Sequence, residues 1–385
     1  MKNFLPEQYK KDHKFKVKHN YLSKQFYDYK NILKDIEKVV RSNDFTLGSK
    51  VDEFEKIISK KLKSKFLVSV GSGTDALMLS LKALGIKEGD EVITTPFTFY
   101  ATIGAIVTSG AIPIFVDVKT DYNINENLIE KAITKKTRAI MPVHWAGRIC
   151  EMKKINQISK KYKIPVVEDS CHAILGEYHG KLAGSFGAFG CFSMHPLKNL
   201  NVWGDGGFVV CSNKRLYKKM KLLRNHGLVS RDKNLIFGYN SRLDTVQAVV
   251  AINALKKLNN ITRQRINNSK FLDKIFQKNE NIILPERKKN IKEVFHLYHL
   301  RLKTKKLRNK ILRELIKNKI DGKIHYPTSM HLQPAAKKYK YSKGDFPIAE
   351  QLSETSISLP VHEFVLKKDL LNMCNIIFKS LKKWK

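Results

Sequence analysis

The amino-acid sequence predicts an α/β protein whose large domain is built on a mostly parallel seven-stranded sheet flanked by helices. From residue 66 onward, short apolar runs alternate with helix-length segments, and this alternation is typical of a parallel sheet. The 385 residues are 42% apolar, which is enough for a large core and excludes wholesale disorder. No apolar run reaches the roughly 18 residues that a membrane-spanning helix needs.

Two amphipathic helices are predicted before the first strand. Residues 28–40 and residues 51–62 each place their apolar side chains on one helical face. The seven predicted strands are Phe66–Val70, Glu91–Thr95, Pro113–Asp117, Arg138–Val143, Ile164–Glu168, Ala188–Ser193 and Gly207–Cys211. The last three lie close together in the chain, which indicates that part of the sheet is antiparallel.

The remainder of the chain predicts a smaller C-terminal α+β domain. A long amphipathic helix is expected at 241–258, and the polar residues 259–293 are interpreted as a transition. Beyond it we expect a strand at Phe295–Leu302, a helix at 306–319, a loop rich in His and Pro at 325–347, and a final helix at 368–382. The predicted division is a basic N-terminal arm (1–20), a large domain (21–256) and a small domain (257–385).

The net charge of the chain is strongly positive. Lys and Arg number 72 against 35 Asp and Glu, which gives a formal charge of +37. Such a balance suits a nucleic-acid binder or an enzyme for anionic substrates, and it also arises when lysine is simply spread over the surface. The lysines are dispersed along nearly every predicted helix, which favours the last explanation.

The cysteines and the N-terminus bear on location. Five cysteines, an odd number with no C-x-x-C pair, argue against a disulfide framework or a zinc site. Free thiols suit a reducing compartment, and the charged N-terminus lacks the apolar segment of a secretory signal. We therefore expect a cytoplasmic protein.

A glycine-containing turn follows the first predicted strand. Gly71-Ser72-Gly73-Thr74-Asp75-Ala76 opens an apolar helix, where free N–H groups can bind an anion. The pattern also suggests a dinucleotide fold, but the next strand ends in Thr94-Thr95-Pro96 without the acidic residue that a ribose requires. We predict a site for a single phosphate here; a plain tight turn is the alternative.

Two acidic residues end the fifth predicted strand. Glu168-Asp169-Ser170-Cys171-His172 follows an apolar run, where carboxylates are costly unless they have partners. One of them can hold a protonated ring nitrogen. The alternative is a helix N-cap, where Asp and Ser are favoured.

A lysine stands between a strand end and a glycine-rich turn. Lys198 lies in Ser193-Met194-His195-Pro196-Leu197-Lys198-Asn199-Leu200, ahead of Gly204-Asp205-Gly206-Gly207. A partly desolvated lysine loses its proton readily and can form a Schiff base with a carbonyl. A surface loop lysine is the alternative.

The ordered set of motifs resembles the DegT/DnrJ/EryC1/StrS family of pyridoxal-phosphate-dependent sugar aminotransferases, which have fold type I. The resemblance covers nearly the whole chain. Beyond the three motifs above, it rests on Asp44-Phe45-Thr46-Leu47-Gly48, Thr95-Pro96-Phe97-Thr98-Phe99, Pro142-Val143-His144, Gly238-Tyr239-Asn240-Ser241-Arg242-Leu243, His325-Tyr326-Pro327 and Ser358-Leu359-Pro360.

The resemblance implies roles for single residues. Lys198 would be the Schiff-base lysine and general base, and Asp169 would hold the pyridinium nitrogen. His172 would lie beside the phenolic oxygen of the ring, and Phe99 would stack on its face. The remaining implied contacts are Gly73, Thr74 and Ser193 to the phosphate, Asn240 to the phosphate from the neighbouring subunit of a homodimer, and His325 and Tyr326 to the substrate.

Simpler explanations exist for some of these residues. Phe99 could belong to the core, His172 could be a helix-start histidine bonded to backbone, and Asn240 could be a turn residue. Relatives that act as sugar dehydratases carry histidine at the position of Lys198, so lysine here favours transamination. The segment Trp145-Ala146-Gly147-Arg148 departs from many relatives near the substrate.

The resemblance implies amino-group transfer, with L-glutamate as donor, to a keto-sugar attached to a nucleotide diphosphate, in amino-sugar or polysaccharide biosynthesis. The basic charge suits an anionic substrate. A keto-cyclitol acceptor, a non-transaminating dehydratase or regulator with the same cofactor, and a nucleic-acid-binding protein are the alternatives.

Overall fold

The computed structural model describes residues 15–19 and 21–382. Of the predicted basic arm, residues 1–14 and residue 20 therefore lie outside the described residues. The helices are α1 (Leu22–Gln25), α2 (Tyr29–Ser42), α3 (Ser49–Lys61), α4 (Gly73–Leu84), α5 (Tyr100–Thr108), α6 (Met152–Tyr162), α7 (Lys214–Arg224), α8 (Thr245–Phe276), α9 (Lys305–Lys317), α10 (Pro347–Thr355) and α11 (Lys367–Lys382).

The strands include the seven that the apolar runs predict. They are β1 (Leu67–Val70), β2 (Glu91–Thr94), β3 (Ile112–Phe115), β4 (Thr137–Ile140), β5 (Val167–Asp169), β6 (Glu177–Tyr178), β7 (Lys181–Leu182), β8 (Phe189–Ser193), β9 (Gly207–Cys211), β10 (Leu228–Ser230), β11 (Lys233–Asn234), β12 (Ile282–Ile283), β13 (Ile291–Lys292), β14 (Tyr298–Leu302) and β15 (Ser356–Leu359).

The central sheet has the order β3-β2-β4-β5-β8-β9-β1. Its two ladders, β3-β2-β4 and β5-β8-β9-β1, are joined by parallel bridges from Ile140 to Val166 and from Val143 to Asp169. β9 runs antiparallel to both of its neighbours, and the other pairs are parallel. The predicted fold class, with its partly antiparallel end, is confirmed.

The sheet is buried between helices, as a mainly parallel sheet must be. Every residue of β1 and β9 is buried. α4 packs on this part of the sheet through Leu77, Leu79 and Leu81. This packing brings the start of α4 to the edge of the sheet where β1 ends. The strands β5 and β8 end at the same edge, so the polar residues at their ends lie there too.

A second core lies in the C-terminal part of the chain. The antiparallel sheet β12-β14-β15 packs with α9, α11 and the end of α8. Val17 belongs to this core, and its backbone pairs with Ile320.

The long helix differs from its prediction. α8 does not stop at residue 258 but continues to Phe276, so the first part of the predicted polar transition is helical. Ile261, Leu272 and Phe276 are buried on one face and anchor this extension despite its polar composition. The predicted domain boundary between residues 256 and 257 falls within α8, and the division stays a prediction.

Among the helices of the described residues, none combines the length and the apolar character needed to cross a lipid bilayer. The described residues also contain no cluster of three His, Cys, Asp or Glu side chains arranged for a metal ion. The cytoplasmic location stays a prediction.

Candidate active site

The polar ends of β1, β5 and β8 meet at one edge of the central sheet. Ser72 follows β1 and caps α4: its side chain accepts a hydrogen bond from the Asp75 N–H at 3.0 Å. Thr74 is exposed in the first turn of this helix. The N-terminus of α4 thus presents free N–H groups and the positive end of the helix dipole to an incoming anion.

Gly73 allows the helix start to reach the end of β8. A Cβ on Gly73 would lie 2.5 Å from the Cβ of Ser193, and a Cβ on Gly207 would lie 2.4 Å from the carbonyl oxygen of Ser72. Real side chains do not approach so closely, so both positions require glycine. The three predicted phosphate residues, Gly73, Thr74 and Ser193, therefore come together.

The Asp169 carboxylate is buried at the end of β5. One oxygen accepts a hydrogen bond from Thr102 Oγ1 at 2.8 Å, and the other accepts one from the Cys171 N–H at 3.2 Å. These two donors fix the orientation of the buried carboxylate. It is therefore suited to hold a protonated ring nitrogen.

Glu168 is fully buried and serves the fold. Neighbouring residues on a strand face opposite sides of the sheet, so it points away from Asp169. It lies 3.0 Å from Nε2 of the buried His144. It also accepts hydrogen bonds from the backbone N–H groups of Gly184, Phe186 and Gly187. Only one of the two predicted acids thus remains available to a ligand.

Lys198 lies in the turn that follows β8. Burial lowers the pKa of its amine below the ordinary value of 10.5, although the charges of Cys171 and Asp169 raise it. The backbone N–H of Lys198 donates to His195 O at 2.8 Å, and its carbonyl accepts a hydrogen bond from Tyr21 at 3.3 Å. A desolvated amine of this kind is a stronger nucleophile at neutral pH than a surface lysine.

His172 is buried in the turns after β5. Its Nδ1 accepts the backbone N–H of Ala146 at 3.3 Å, so the neutral ring has its proton on Nε2. Its ring lies 4.3 Å from that of His296 and 5.3 Å from that of Trp145. Burial, and next the charge of Lys198, hold the pKa of His172 well below its ordinary range.

Phe99 and Tyr326 form an aromatic wall. Their rings are 5.7 Å apart, and Tyr326 also contacts Trp145 edge-on at 5.3 Å. Phe99 is 45% exposed, which argues against the core alternative for this residue. His325, beside Tyr326, is held by a 2.7 Å hydrogen bond with Ser358 Oγ.

Asn240 has no described side-chain contact with the other predicted residues, although Ser241 beside it bonds to Asp75 in the first turn of α4. Asn240 is exposed, and its backbone pairs with that of Asn225. The preceding segment, 228–239, carries exposed apolar side chains, of which Phe237 is 96% exposed. The described contacts do not join Asn240 to the site within one chain.

Sequence reasoning missed three contributors to this site. Thr102 bonds to Asp169, Tyr21 bonds to the Lys198 carbonyl, and His296 packs on His172. Thr102 follows the Thr95–Phe99 motif closely, and this proximity is the one signal that could have found it. Tyr21 is 177 residues from Lys198, and no local pattern indicates such a contact.

Comparisons with known proteins agree with this geometry. The model of the DegT/DnrJ/EryC1/StrS aminotransferase family matches residues 27–378. The UDP-4-amino-4,6-dideoxy-N-acetyl-β-L-altrosamine transaminase of Campylobacter jejuni is 35% identical over 91% of this chain and 94% of its own.

Solved structures are similar over almost the full length. DesV from S. venezuelae superposes with a TM-score of 0.90, with 30% identity over 96% of this chain and 98% of that one. NtdA from Bacillus subtilis, solved with its bound cofactor PMP, gives a TM-score of 0.87, with 29% identity over 96% of this chain and 88% of that one.

The residues at the sheet edge fit pyridoxal phosphate. Gly73 lets the start of α4 approach Ser193, which brings free helix N–H groups and a serine hydroxyl together as donors for a phosphate. Asp169 offers a buried carboxylate to a ring nitrogen, and Lys198 offers an amine with a lowered pKa to a carbonyl.

Proposed function

The chain belongs to the DegT/DnrJ/EryC1/StrS aminotransferase family and is a pyridoxal-phosphate-dependent transaminase; from this premise we propose that it transfers an amino group from L-glutamate to a nucleotide-linked keto-sugar, in amino-sugar or polysaccharide biosynthesis. The observation that carries the proposal is the placement of the buried Asp169 carboxylate and the desolvated Lys198 amine at one edge of the sheet, next to a glycine-lined helix start.

Lys198 binds the cofactor and moves the proton. When bound, pyridoxal phosphate supplies a carbonyl for the amine and a ring that accepts electrons. The lowered pKa leaves Lys198 free of its proton at a pH where an ordinary lysine is charged. With the cofactor bound, this lysine would be the base that takes the proton from the carbon bearing the donor's amino group.

The other residues hold the ring. Asp169 binds the ring nitrogen and keeps it protonated, and Phe99 covers one ring face. The N-terminus of α4, with Thr74 and Ser193, binds the phosphate. His172 stays neutral because burial disfavours its charged form, so it can share a hydrogen bond with the phenolic oxygen without adding charge.

A second copy of the chain completes the site. Asn240 lies beside the exposed apolar segment 228–239, which a partner would cover. In the proposed homodimer, this segment packs on the other subunit and Asn240 reaches the phosphate bound there. A separated monomer would lack this contact.

Three observations support a nucleotide-linked sugar as the acceptor. The Campylobacter jejuni relative is named for a UDP-linked amino sugar. The net charge of +37 draws anionic molecules such as sugar nucleotides towards the protein. The aromatic wall of Phe99 and Tyr326 offers apolar ring faces to the sugar.

The experiment is an absorbance spectrum of the purified protein before and after L-glutamate is added. We expect a visible band from the bound cofactor that glutamate removes, and a nucleotide-linked keto-sugar should restore it. In Lys198→Ala the band should be absent, and no covalent cofactor should be found by mass spectrometry after borohydride reduction.

Other outcomes distinguish the parts of the proposal. A band that glutamate leaves unchanged would reject the donor, and restoration by a keto-cyclitol instead of a nucleotide sugar would reject the acceptor. Full turnover by Lys198→Ala would reject the assignment of this lysine.

A further inference from the structure

A chain of three buried oxygen groups ends at Asp169. Thr98 Oγ1 lies 2.7 Å from Thr102 Oγ1, and Thr102 Oγ1 lies 2.8 Å from Asp169 Oδ2. Thr98 is 2% exposed, Thr102 1% and Asp169 5%, so bulk water is excluded from both links. The two threonines bracket the start of α5, where Thr102 lies in the first turn.

The direction of these hydrogen bonds follows from their chemistry. An ionised carboxylate can only accept, so Thr102 donates its single hydroxyl proton to Asp169. Thr102 then has only lone pairs for Thr98, and Thr98 must be the donor. The order is therefore Thr98 to Thr102 to Asp169, with both hydroxyl dipoles pointing towards the carboxylate.

The carboxylate is held from two sides. Oδ2 accepts the Thr102 hydroxyl, and Oδ1 accepts the Cys171 N–H at 3.2 Å. The Cys171 N–H belongs to the backbone that follows β5, and the pairing of β5 with β8 fixes the position of that strand. The hydroxyl pair is thus a side-chain part of the support, and a substitution can remove it while the Cys171 N–H stays in place.

We infer that Thr102 is a positioning residue of the reaction, with Thr98 as its support: the hydroxyl orients Asp169 and stabilises its negative charge towards the ring nitrogen of the cofactor. The inference rests on the proposed role of Asp169. A donated hydrogen bond to a buried carboxylate is stronger than one between neutral groups, so its loss should be measurable.

The test compares Thr102→Val, which keeps the shape but lacks the hydroxyl, with Thr102→Ser, which keeps the hydroxyl. Asp169→Asn serves as the reference. The readouts are the midpoint of the pH titration of the visible cofactor band without substrate, and the dissociation constant of pyridoxal phosphate from the apoprotein. The melting temperature of each apoprotein reports on folding.

Asp169→Asn removes the negative charge beside the ring nitrogen, and Thr102→Val removes the hydrogen bond that stabilises this charge. In both variants the ring nitrogen should be protonated less often. The nitrogen that joins Lys198 to the cofactor then keeps its own proton to higher pH. We expect the midpoint to rise strongly in Asp169→Asn and by about half a unit to one unit in Thr102→Val. Cofactor binding should weaken about tenfold in Thr102→Val, and Thr102→Ser should stay close to wild type.

The outcomes separate the inference from its premise. If Asp169→Asn leaves the midpoint unchanged, the proposed role of Asp169 fails and the inference fails with it. If Asp169→Asn shifts the midpoint and Thr102→Val does not, the inference alone is wrong. Equal shifts in Thr102→Val and Thr102→Ser would also reject it, because the hydroxyl would then be irrelevant.

A second variant covers the case in which Thr102→Val does not fold. Thr98→Val removes only the outer hydroxyl and leaves Thr102 in place. We expect a smaller upward shift of the midpoint in this variant, and an unchanged midpoint would overturn the inference.

Discussion

Gly73 and Ser193 meet where the start of α4 touches the end of β8. The gap between them has no room for a methyl group, since a Cβ on Gly73 would lie 2.5 Å from the Ser193 Cβ. The contact brings the helix N-terminus and a serine hydroxyl to the same point. The phosphate site is thus formed by close backbone approach more than by charged side chains.

Replacing Gly73 with alanine should therefore damage both the fold and the site. We expect Gly73→Ala to lose about 1–3 kcal/mol of unfolding free energy through overpacking, and to bind pyridoxal phosphate at least tenfold more weakly. Denaturant unfolding and a cofactor titration of the apoprotein would measure the two effects.

Gly104→Ala is the matched control for this prediction. Gly104 lies inside α5, where an added Cβ meets no atom within 4 Å. Alanine there should be neutral or stabilising, because it reduces the freedom of the unfolded chain. Equal losses in the two variants would contradict the steric explanation.

His362 makes stability depend on pH. Its Nε2 donates to Lys18 O at 2.8 Å and its Nδ1 accepts the Phe364 N–H at 3.2 Å, so the neutral ring is fully satisfied. Burial, and next the charge of Arg265, lower the pKa of His362 from 6.5 to about 3. A proton added to Nδ1 would face the Phe364 N–H and would break this hydrogen bond.

The sign of the pH effect follows directly. Between pH 6.5 and about 3, His362 is protonated in the unfolded chain but neutral in the folded chain. The stability that depends on neutral His362 is therefore complete above pH 6.5 and declines as the pH falls. The loss should reach about 2 kcal/mol at pH 5 relative to pH 7. Melting curves at the two values should show a smaller decrease in His362→Gln.

The exposed His179 supplies the comparison. His179→Gln should leave the pH dependence of the melting temperature as it is in the wild type. If His362→Gln loses as much stability on acidification as the wild type does, this histidine is not responsible.

At the scale of elements, the segment 21–25 supports the turn that carries Lys198. Gln25 and Asn201 form a paired amide contact with both hydrogen bonds at 2.9 Å, and Asn201 Nδ2 also donates to Pro196 O. Tyr21 adds its hydrogen bond to the Lys198 carbonyl. The short helix α1 thus ties the turn to the start of the described chain.

Gln25→Ala should loosen this turn. The substitution leaves Oδ1 of the fully buried Asn201 without its donor, which should cost about 1–3 kcal/mol of stability. We also expect the cofactor to bind several-fold more weakly, because Lys198 is held less firmly. Lys24→Ala, at an exposed position of the same helix, should change neither quantity.

Thermal unfolding of both apoproteins and a pyridoxal-phosphate titration would decide this case. Loss of stability in Gln25→Ala with unchanged cofactor affinity would show that the paired amides serve the fold without positioning Lys198.

At the scale of the whole molecule, the exposed apolar segment 228–239 has the properties of an interface. Val229, Leu235 and Phe237 all face solvent in the single chain. Soluble proteins rarely leave such groups uncovered. The proposed homodimer would bury them and bring Asn240 towards the partner's phosphate site.

Phe237→Lys should therefore weaken the dimer. We expect sedimentation analysis to show a monomer at concentrations where the wild type is a dimer, and transamination should fall together with the dimer fraction. Ile316→Lys, at a half-exposed site at the end of α9, introduces the same charge and should leave assembly and activity intact. A fully active Phe237→Lys monomer would refute the shared site.

Much of this architecture can be predicted from the sequence, because the patterns that indicate it are local. The alternation of apolar runs with helix-length segments predicts the seven strands of the central sheet. Gly73, Asp169 and Lys198 each follow a predicted strand, so their meeting at one sheet edge follows from parallel topology. The family, and with it the cofactor, follows from the order of these motifs.

Other features were decided only by tertiary packing. The burial of Glu168 against His144 selects Asp169 as the acid open to a ligand, and the length of α8 depends on its buried face in the C-terminal core. Contacts such as that of Tyr21 with Lys198 join residues far apart in the chain. A periodic or short-range pattern carries no information about such pairs, because each residue's partner is chosen only when the separate elements pack together.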